Sequence, residues 1–377
     1  MSLRTFLYGL TTNLLVGFCC YLTNLFIEHS TDPETRLTGG LGLGIVSAIL
    51  IVLFVSRWAT LNTWRFHAVN MVLFLHSSFN FFVTIDKLIE PNGFFLTEYI
   101  QAEEPLLHNV WTFIMTFFDG IPLHIINYTI FYRVRTGLTT RSLLLFNTTA
   151  CFAMLAQFGP VILTSGLTTR TTTKIFLGIF SLYAFLPAIV LHSARDFQLE
   201  NKLEKKVMPV VLSVLTVPLL ALSALIFISK ALTSQGILDW PLDVFLQNDP
   251  MIVLNDIKDT YPYALSQIWV YLAVILPTIV VSIVYHFRKT KPHFLWEMSI
   301  VQASVIATGQ AFFLMGPLYW ETPEEFRVDP LNMSFWAINL IPVAAGFLQL
   351  ASIYQYNSPL LPPSKGTNYR RHSYGQI

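Results

Sequence analysis

The stretch HNVWTFIMTFFDGIPLHIINYTIFY, residues 108–132, decides the fold class. Asp119 is its only acidic residue, and it contains no Lys or Arg. About 20 apolar residues suffice to cross roughly 30 Å of hydrocarbon as an α-helix. Nine more runs have this length and character: 5–27, 38–57, 66–88, 142–166, 174–193, 208–230, 262–286, 294–318 and 332–356. The expectation is an all-α polytopic membrane protein with about ten transmembrane helices. Composition agrees. Hydrophobic residues make up 54% of the chain and charged residues only 12%, against about a quarter in soluble domains, so the charge for a solvated surface is missing.

The net charge of +1, with no basic block, argues against a nucleic-acid partner. Cys19, Cys20 and Cys151 lie inside apolar runs without metal-ligand spacing and read as small packing residues. No metal site or cofactor is expected. The first run is long, contains Asn13 and is closely followed by a second, so it reads as a span and not a cleaved leader.

Loop charge sets orientation, because Lys and Arg accumulate on the cytosolic side. The N-terminus, the loops after even-numbered runs and the C-terminus hold 16 of the 23 basic residues, among them Arg133, Arg135, Arg141 and the Lys202–Lys206 group. The alternate loops hold 17 of the 22 acidic residues. Both termini are therefore expected in the cytosol. The tail from 357 to 377 is polar and Pro/Ser/Gly-rich and reads as disordered. The segment Leu238 to Tyr261 alternates Trp240, Phe245 and Ile252 with acids. It reads either as an interfacial helix or re-entrant flap, or as a plain loop.

An internal repeat divides the chain. Pro122 lies eleven residues before Arg133, and Pro277 eleven before Arg288. Pro187 pairs with Pro342, and all three correspondences share an offset of 155 residues. Ala156-Gln157 matches Gly309-Gln310 at an offset of 153. The expected organisation is a two-helix hairpin (1–60), two parallel four-helix units (61–194 and 207–356) and the tail (357–377).

Polar groups within membrane spans are costly and mark candidate sites. His76 and Asn80 sit four apart on one face of the third run, and Thr84 continues it. Asp119 follows in the fourth run with Gly120, Pro122, His124 and Asn127, Gln157 in the fifth, and Tyr183 four before Pro187 in the sixth. The second unit offers Gln235, Gln267, Gln310 and Asn339, and reads as having largely lost its ionisable groups. A buried Asp119 needs neutralisation or a partner such as His76. The candidate ligand-binding set is His76, Asn80, Asp119, Gln157, Tyr183, Gln310 and Asn339. His76 and Asp119 are the candidates for acid/base chemistry. The sequons at Asn127, Asn147 and Asn332 fall in or against spans and read as unused.

Together, Glu104-Pro105-Leu106 leading to Phe118-Asp119-Gly120, Tyr261-Pro262 leading to Leu276-Pro277, Gly309-Gln310, Arg327-Val328 and Asn339-Leu340 resemble the EXPERA superfamily. That family includes the emopamil-binding sterol isomerase, the sigma-2 receptor and the transmembrane 6 superfamily proteins. The last carry two four-helix units after a leading hairpin. The resemblance covers nearly the whole chain. It implies an endoplasmic-reticulum or related endomembrane protein of lipid homeostasis, influencing triglyceride storage and lipoprotein lipid loading. Membrane lipids or a sterol would be the ligand and lipoprotein-assembly proteins the partners; a homodimer is expected on the separate ground that small helical membrane folds commonly pair. The isomerase's His-x-x-x-Glu pair corresponds to His76-x-x-x-Asn80, its second-helix Glu falls near Thr112, and its cation-stabilising Trp corresponds to Tyr183. An amide is not a general base, so a non-enzymatic lipid- or sterol-binding regulator is the first reading. A sterol isomerase using His76 and Asp119 is the second, and a lipid transporter the third.

Overall fold

The computed structural model describes residues 3–56, 64–89, 110–135, 140–164, 171–191, 208–237, 246, 249–253, 262–288, 291–292, 294–319, 322, 324–355 and 360–361. Every apolar run forms a helix. Their order is α1 (Leu3–His29), α2 (Pro33–Ser56), α3 (Trp64–Ile89), α4 (Val110–Phe118, Asp119–Leu123, His124–Arg135), α5 (Arg141–Thr164), α6 (Thr171–Leu191), α7 (Met208–Ser234), α8 (Pro262–Val270, Tyr271–Ile275, Leu276–His286), α9 (Phe294–Met315) and α10 (Met333–Gln355). In lipid an unpaired peptide group has no water to turn to, so a helix, which pairs its own backbone, is the form an apolar run takes.

Eight of these helices are long and apolar enough to cross a membrane. The other two, α2 and α6, carry shorter apolar stretches, Thr38–Leu53 and Ser181–Leu191. Among the described residues the only non-helical pairing joins Lys291–Pro292 to Leu360–Leu361 over two residues. The rest of the segment 357–377 lies outside the described residues, as do Glu104-Pro105 and most of 238–261.

The ends of the helices have local causes. Asp32 accepts from the Thr35 backbone N–H at 2.8 Å and starts α2. Asn332 accepts from the N–H groups of Ser334 and Phe335 and starts α10. After α7 the chain turns at Gly236, whose φ of +76° suits a residue without Cβ. There Ile237 N–H reaches Leu232 O, and Gly236 N–H reaches Thr233 O, the paired bonds of a Schellman stop.

Packing follows a regular plan. α3 packs on α4 and α6, and α5 on α4 and α6; α7 packs on α8 and α10, and α9 on α8 and α10. The two groups meet where α5 crosses α8 and α9, and where α4 touches α9. The α1–α2 hairpin lies against α3, closing a small core of Val16, Ile51, Met71, Phe74, Phe82 and Phe131. Large side chains such as Leu14, Phe18, Ile45, Leu53, Ile189, Val214 and Val280 are exposed on the outside. That is an inversion a soluble surface of this extent does not show, but a lipid-facing one does. Between the two groups, Arg141 Nε donates to Glu297 Oε1 at 2.7 Å and Trp296 Nε1 to Ser142 Oγ at 3.2 Å. Glu297, in the first turn of α9, is thus partly buried in an ion pair.

Two sequence expectations change here. The second unit has not lost its ionisable groups: Lys230 near the end of α7 is fully buried and pairs with the buried Asp249. Gln235, offered as a polar group of the second unit, sits in the turn after α7 and is exposed.

Candidate functional site

α4 is interrupted by a π-helical turn at Asp119–Leu123. Pro122 lacks the N–H that would close onto the Phe118 carbonyl, and a wider turn absorbs the defect. The turn brings α4 very close to α3. A Cβ on Gly120 would lie 2.5 Å from the Asn80 carbonyl oxygen and 2.7 Å from the Phe81 nitrogen. Only glycine admits that approach, and it delivers the neighbouring Asp119 carboxylate to the polar face of α3.

Asp119 is 1% exposed. Three side chains from two other helices hold it. Tyr183 on α6 donates its hydroxyl to Oδ1 at 2.9 Å. Asn80 on α3 donates its amide to Oδ2. His76, one turn earlier on α3, sets Nε2 3.1 Å from the same oxygen. The Asn80 amide also lies 3.1 Å from His76 Nε2. That nitrogen can donate to Asp119 or accept from Asn80, not both at once, so the imidazole tautomer decides which contact is a bond. The His76 and Tyr183 rings stack at 3.9 Å between centroids.

A second layer orients Tyr183. Asn127 donates to its hydroxyl oxygen at 3.3 Å, and Asn147 donates to Asn127 Oδ1 at 2.8 Å. With its acceptor side occupied, the tyrosine proton points at Asp119. Thr84, expected to continue the His76–Asn80 face, donates to the carbonyls of Asn80 and Thr116 and ties α3 to α4. Tyr183→Phe keeps the ring and removes one bond to a carboxylate. We expect about 1.5–3 kcal/mol of lost stability, read as a lower melting temperature of the purified chain in detergent.

The other predicted site residues divide. His124 is apart from the carboxylate: it bonds Ser77 Oγ at 3.0 Å and stacks between Phe74 and Phe81. Gln157 joins Gln267 on α8, and Gln310 lies buried on α9; neither has a hydrogen bond to the Asp119 group among those described. Asn339 belongs to another centre, where its Oδ1 accepts from Lys230 Nζ at 2.7 Å. Asp249 Oδ2 takes the same ammonium at 3.2 Å, and the Phe313 ring lies 3.9 Å beneath it. Lys230 was missed because it closes an apolar run, where a lysine ordinarily reaches the interface. Its spacing of 154 from His76 was the available signal. Asp249 arrives from the 238–261 segment, in which Leu246, Asp249 and Ile252 are all buried. These described residues therefore lie inside the bundle.

Among the described residues no group of His, Cys, Asp and Glu has metal-binding geometry. Fold and site together define an all-helical protein of membrane-length helices with a buried carboxylate centre. No family model, no curated protein and no solved structure matches the chain.

Proposed function

We propose that the chain is a non-enzymatic, lipid-binding regulator of endomembrane lipid homeostasis, and that the polar centre around Asp119 receives the headgroup of a sterol or similar lipid. The observation that carries this reading is the ligation of one buried carboxylate by His76, Asn80 and Tyr183 from two other helices. Polar groups are expensive in the bilayer interior and persist where they serve a site. A sterol hydroxyl can replace one donor to the carboxylate while its rings lie against the stacked His76 and Tyr183 rings.

The reading includes ten spans, cytosolic termini and two parallel four-helix units after a hairpin, in the endoplasmic reticulum or a related membrane. Three observations support the repeat. The packing plan of α3–α6 recurs in α7–α10. α4 and α8 each hold a π turn. The Asn127–Asn147 bond has a counterpart in the Ser282–Gln302 contact at 3.4 Å, displaced by 155 residues at both ends. The reading extends to EXPERA-type membership, lipoprotein-assembly partners and a homodimer.

The test is photo-crosslinking of the purified chain with a photoreactive sterol. Label is expected on α3–α6 and should fall about five-fold or more in Asp119→Asn and His76→Ala, the loss of one or two net hydrogen bonds. Unchanged labelling in both variants would count against this pocket. A glycosylation-tag scan tests the topology, since a modified tag after Ile377 excludes a cytosolic C-terminus.

A second reading, sterol double-bond isomerisation, gains from one observation: His76 and Asp119 face each other at 3.1 Å. A protonated His76 would deliver its proton to one alkene carbon, and Asp119 would remove a proton from the allylic carbon. Transfer from Asp119 back to His76 would then reset the pair. Against it, Asp119 already accepts on both oxygens, which suits an anchor better than a base. Restored sterol isomerisation in isomerase-deficient cells, lost in Asp119→Asn, would overturn the binding-only reading.

A further inference from the structure

Lys230 sits among helices that offer it no anion. It is fully buried near the end of α7. Its ammonium lies 3.9 Å over the Phe313 ring of α9 and donates to Asn339 Oδ1 of α10 at 2.7 Å. A ring face and an amide oxygen carry no net charge, and the Asn339 amide nitrogen donates to the Phe335 carbonyl. The sequences of α7, α8, α9 and α10 contain one acidic residue, Glu297, and Arg141 holds it at 2.7 Å. A buried ammonium without a counter-ion is strongly unfavourable. These helices therefore build a site with a single positive charge, and its anion must come from elsewhere.

The anion comes from the connection between α7 and α8. Asp249 immediately precedes the single turn Pro250–Val253, which packs on α7, and its Oδ2 lies 3.2 Å from the ammonium. The route is set by the early end of α7. That helix stops at Ser234 and turns at Gly236, just past Lys230, so the chain leaves beside the ammonium and Asp249 reaches back to it. The carboxylate thus enters from the end of α7 and fills a place of its own size. An ammonium recognises a carboxylate as a point charge. One positive charge balances one negative charge, so a monoanion fits and a dianion would leave charge buried. We propose that Lys230, Asn339 and Phe313 form a binding site for a monocarboxylate, with Asp249 as its tethered occupant. A free carboxylate exchanging with Asp249 releases the segment around it from the bundle. This site is apart from the Asp119 centre and does not depend on the reading of that centre.

The test uses the full chain in phosphatidylcholine nanodiscs, with acetate as the probe and chloride at equal ionic strength as the comparison. Asp249→Gly removes a group the size of acetate and should lower the melting temperature. Acetate at about 100 mM should restore most of that loss by binding the folded chain, and chloride should not. Lys230→Met combined with Asp249→Gly should show no acetate effect. A second measurement keeps Asp249 in place and stands even where Asp249→Gly does not fold. Ile252, three residues on, is 2% exposed, so Ile252→Cys should react slowly with a membrane-impermeant maleimide, read by mass spectrometry on the peptide that holds it. A short tether gives Asp249 an effective concentration in the millimolar range, so about 100 mM acetate should speed that reaction about three-fold or more over chloride. With Lys230→Met added, the choice of salt should make no difference. Asp119→Asn should leave both results unchanged, which separates this site from the first. The proposal is overturned if acetate does no better than chloride on either variant that folds, or if its effect survives Lys230→Met.

Discussion

Lys230→Met should destabilise the chain by about 3–5 kcal/mol, the cost of stranding one partner of a buried ion pair. Methionine keeps the unbranched stem and its packing on Phe313, so the loss isolates the charge. What remains is Asp249, fully buried, without the ammonium that sat 3.2 Å away. The Asn339 amide oxygen also loses its donor at 2.7 Å. Asp249→Asn should act in the same direction. Lys230→Met combined with Asp249→Leu should recover most of the loss, because neither charge is then buried and the gap is filled by apolar atoms. The measurement is a double-mutant cycle on melting in detergent or on unfolding in mixed micelles. If the two single variants add without coupling, the pair does not hold α7 to the inserted segment.

Gly120→Ala is the second large effect. Its Cβ meets backbone, the Asn80 carbonyl at 2.5–2.6 Å and the Phe81 nitrogen at 2.7 Å, and backbone cannot rotate aside as a side chain can. α3 and the π turn of α4 must separate. Overpacking of this kind costs about 1–3 kcal/mol and sometimes more. The same displacement withdraws Asp119 from Asn80 and His76, so sterol labelling on α3–α6 should fall together with the melting temperature. Gly159→Ala is the control: nothing lies within 4 Å of the added methyl in α5, and a helical Gly→Ala change there should be neutral or stabilising by up to about 1 kcal/mol. Equal melting temperatures for the two variants would refute the close approach at Gly120.

Much of the architecture was legible because membrane spans announce themselves by length and apolarity, one run at a time. All ten runs are helices in the structure, and eight meet the full length and hydropathy of a span. The first site was partly legible too. His76 and Asn80 share a face by helical spacing, and an acid within a span needs a partner, so Asp119 beside His76 followed from cost. The geometry adds what spacing could not. The π turn aims Asp119, Gly120 sets its depth, and the Asn147–Asn127–Tyr183 chain fixes the direction of the tyrosine proton.

Where the sequence was silent, the reason was the same each time: a polar residue's partner lies on a helix far away in sequence. Gln157, Gln310 and Asn339 entered the candidate ligand-binding set as polar groups inside spans, with no partner assigned to them. The crossing of α5 with α8 and α9 sends Gln157 and Gln310 to the seam, and α10 brings Asn339 to Lys230. Lys230 passed for a span-end lysine because nothing local shows that Asp249 returns into the bundle to meet it.

The sequence by itself determined that long apolar helices form and where they fall, the preference for a lipid-facing exterior and the need of Asp119 for a partner. These follow from transfer energies, which depend on what each segment is made of. Only the tertiary structure decided which polar groups meet: a carboxylate centre on α3, α4 and α6, an ion pair between Lys230 on α7 and Asp249, and an amide cluster between the two groups of helices. Those follow from helix crossing geometry, which depends on how side-chain ridges from distant segments fit together.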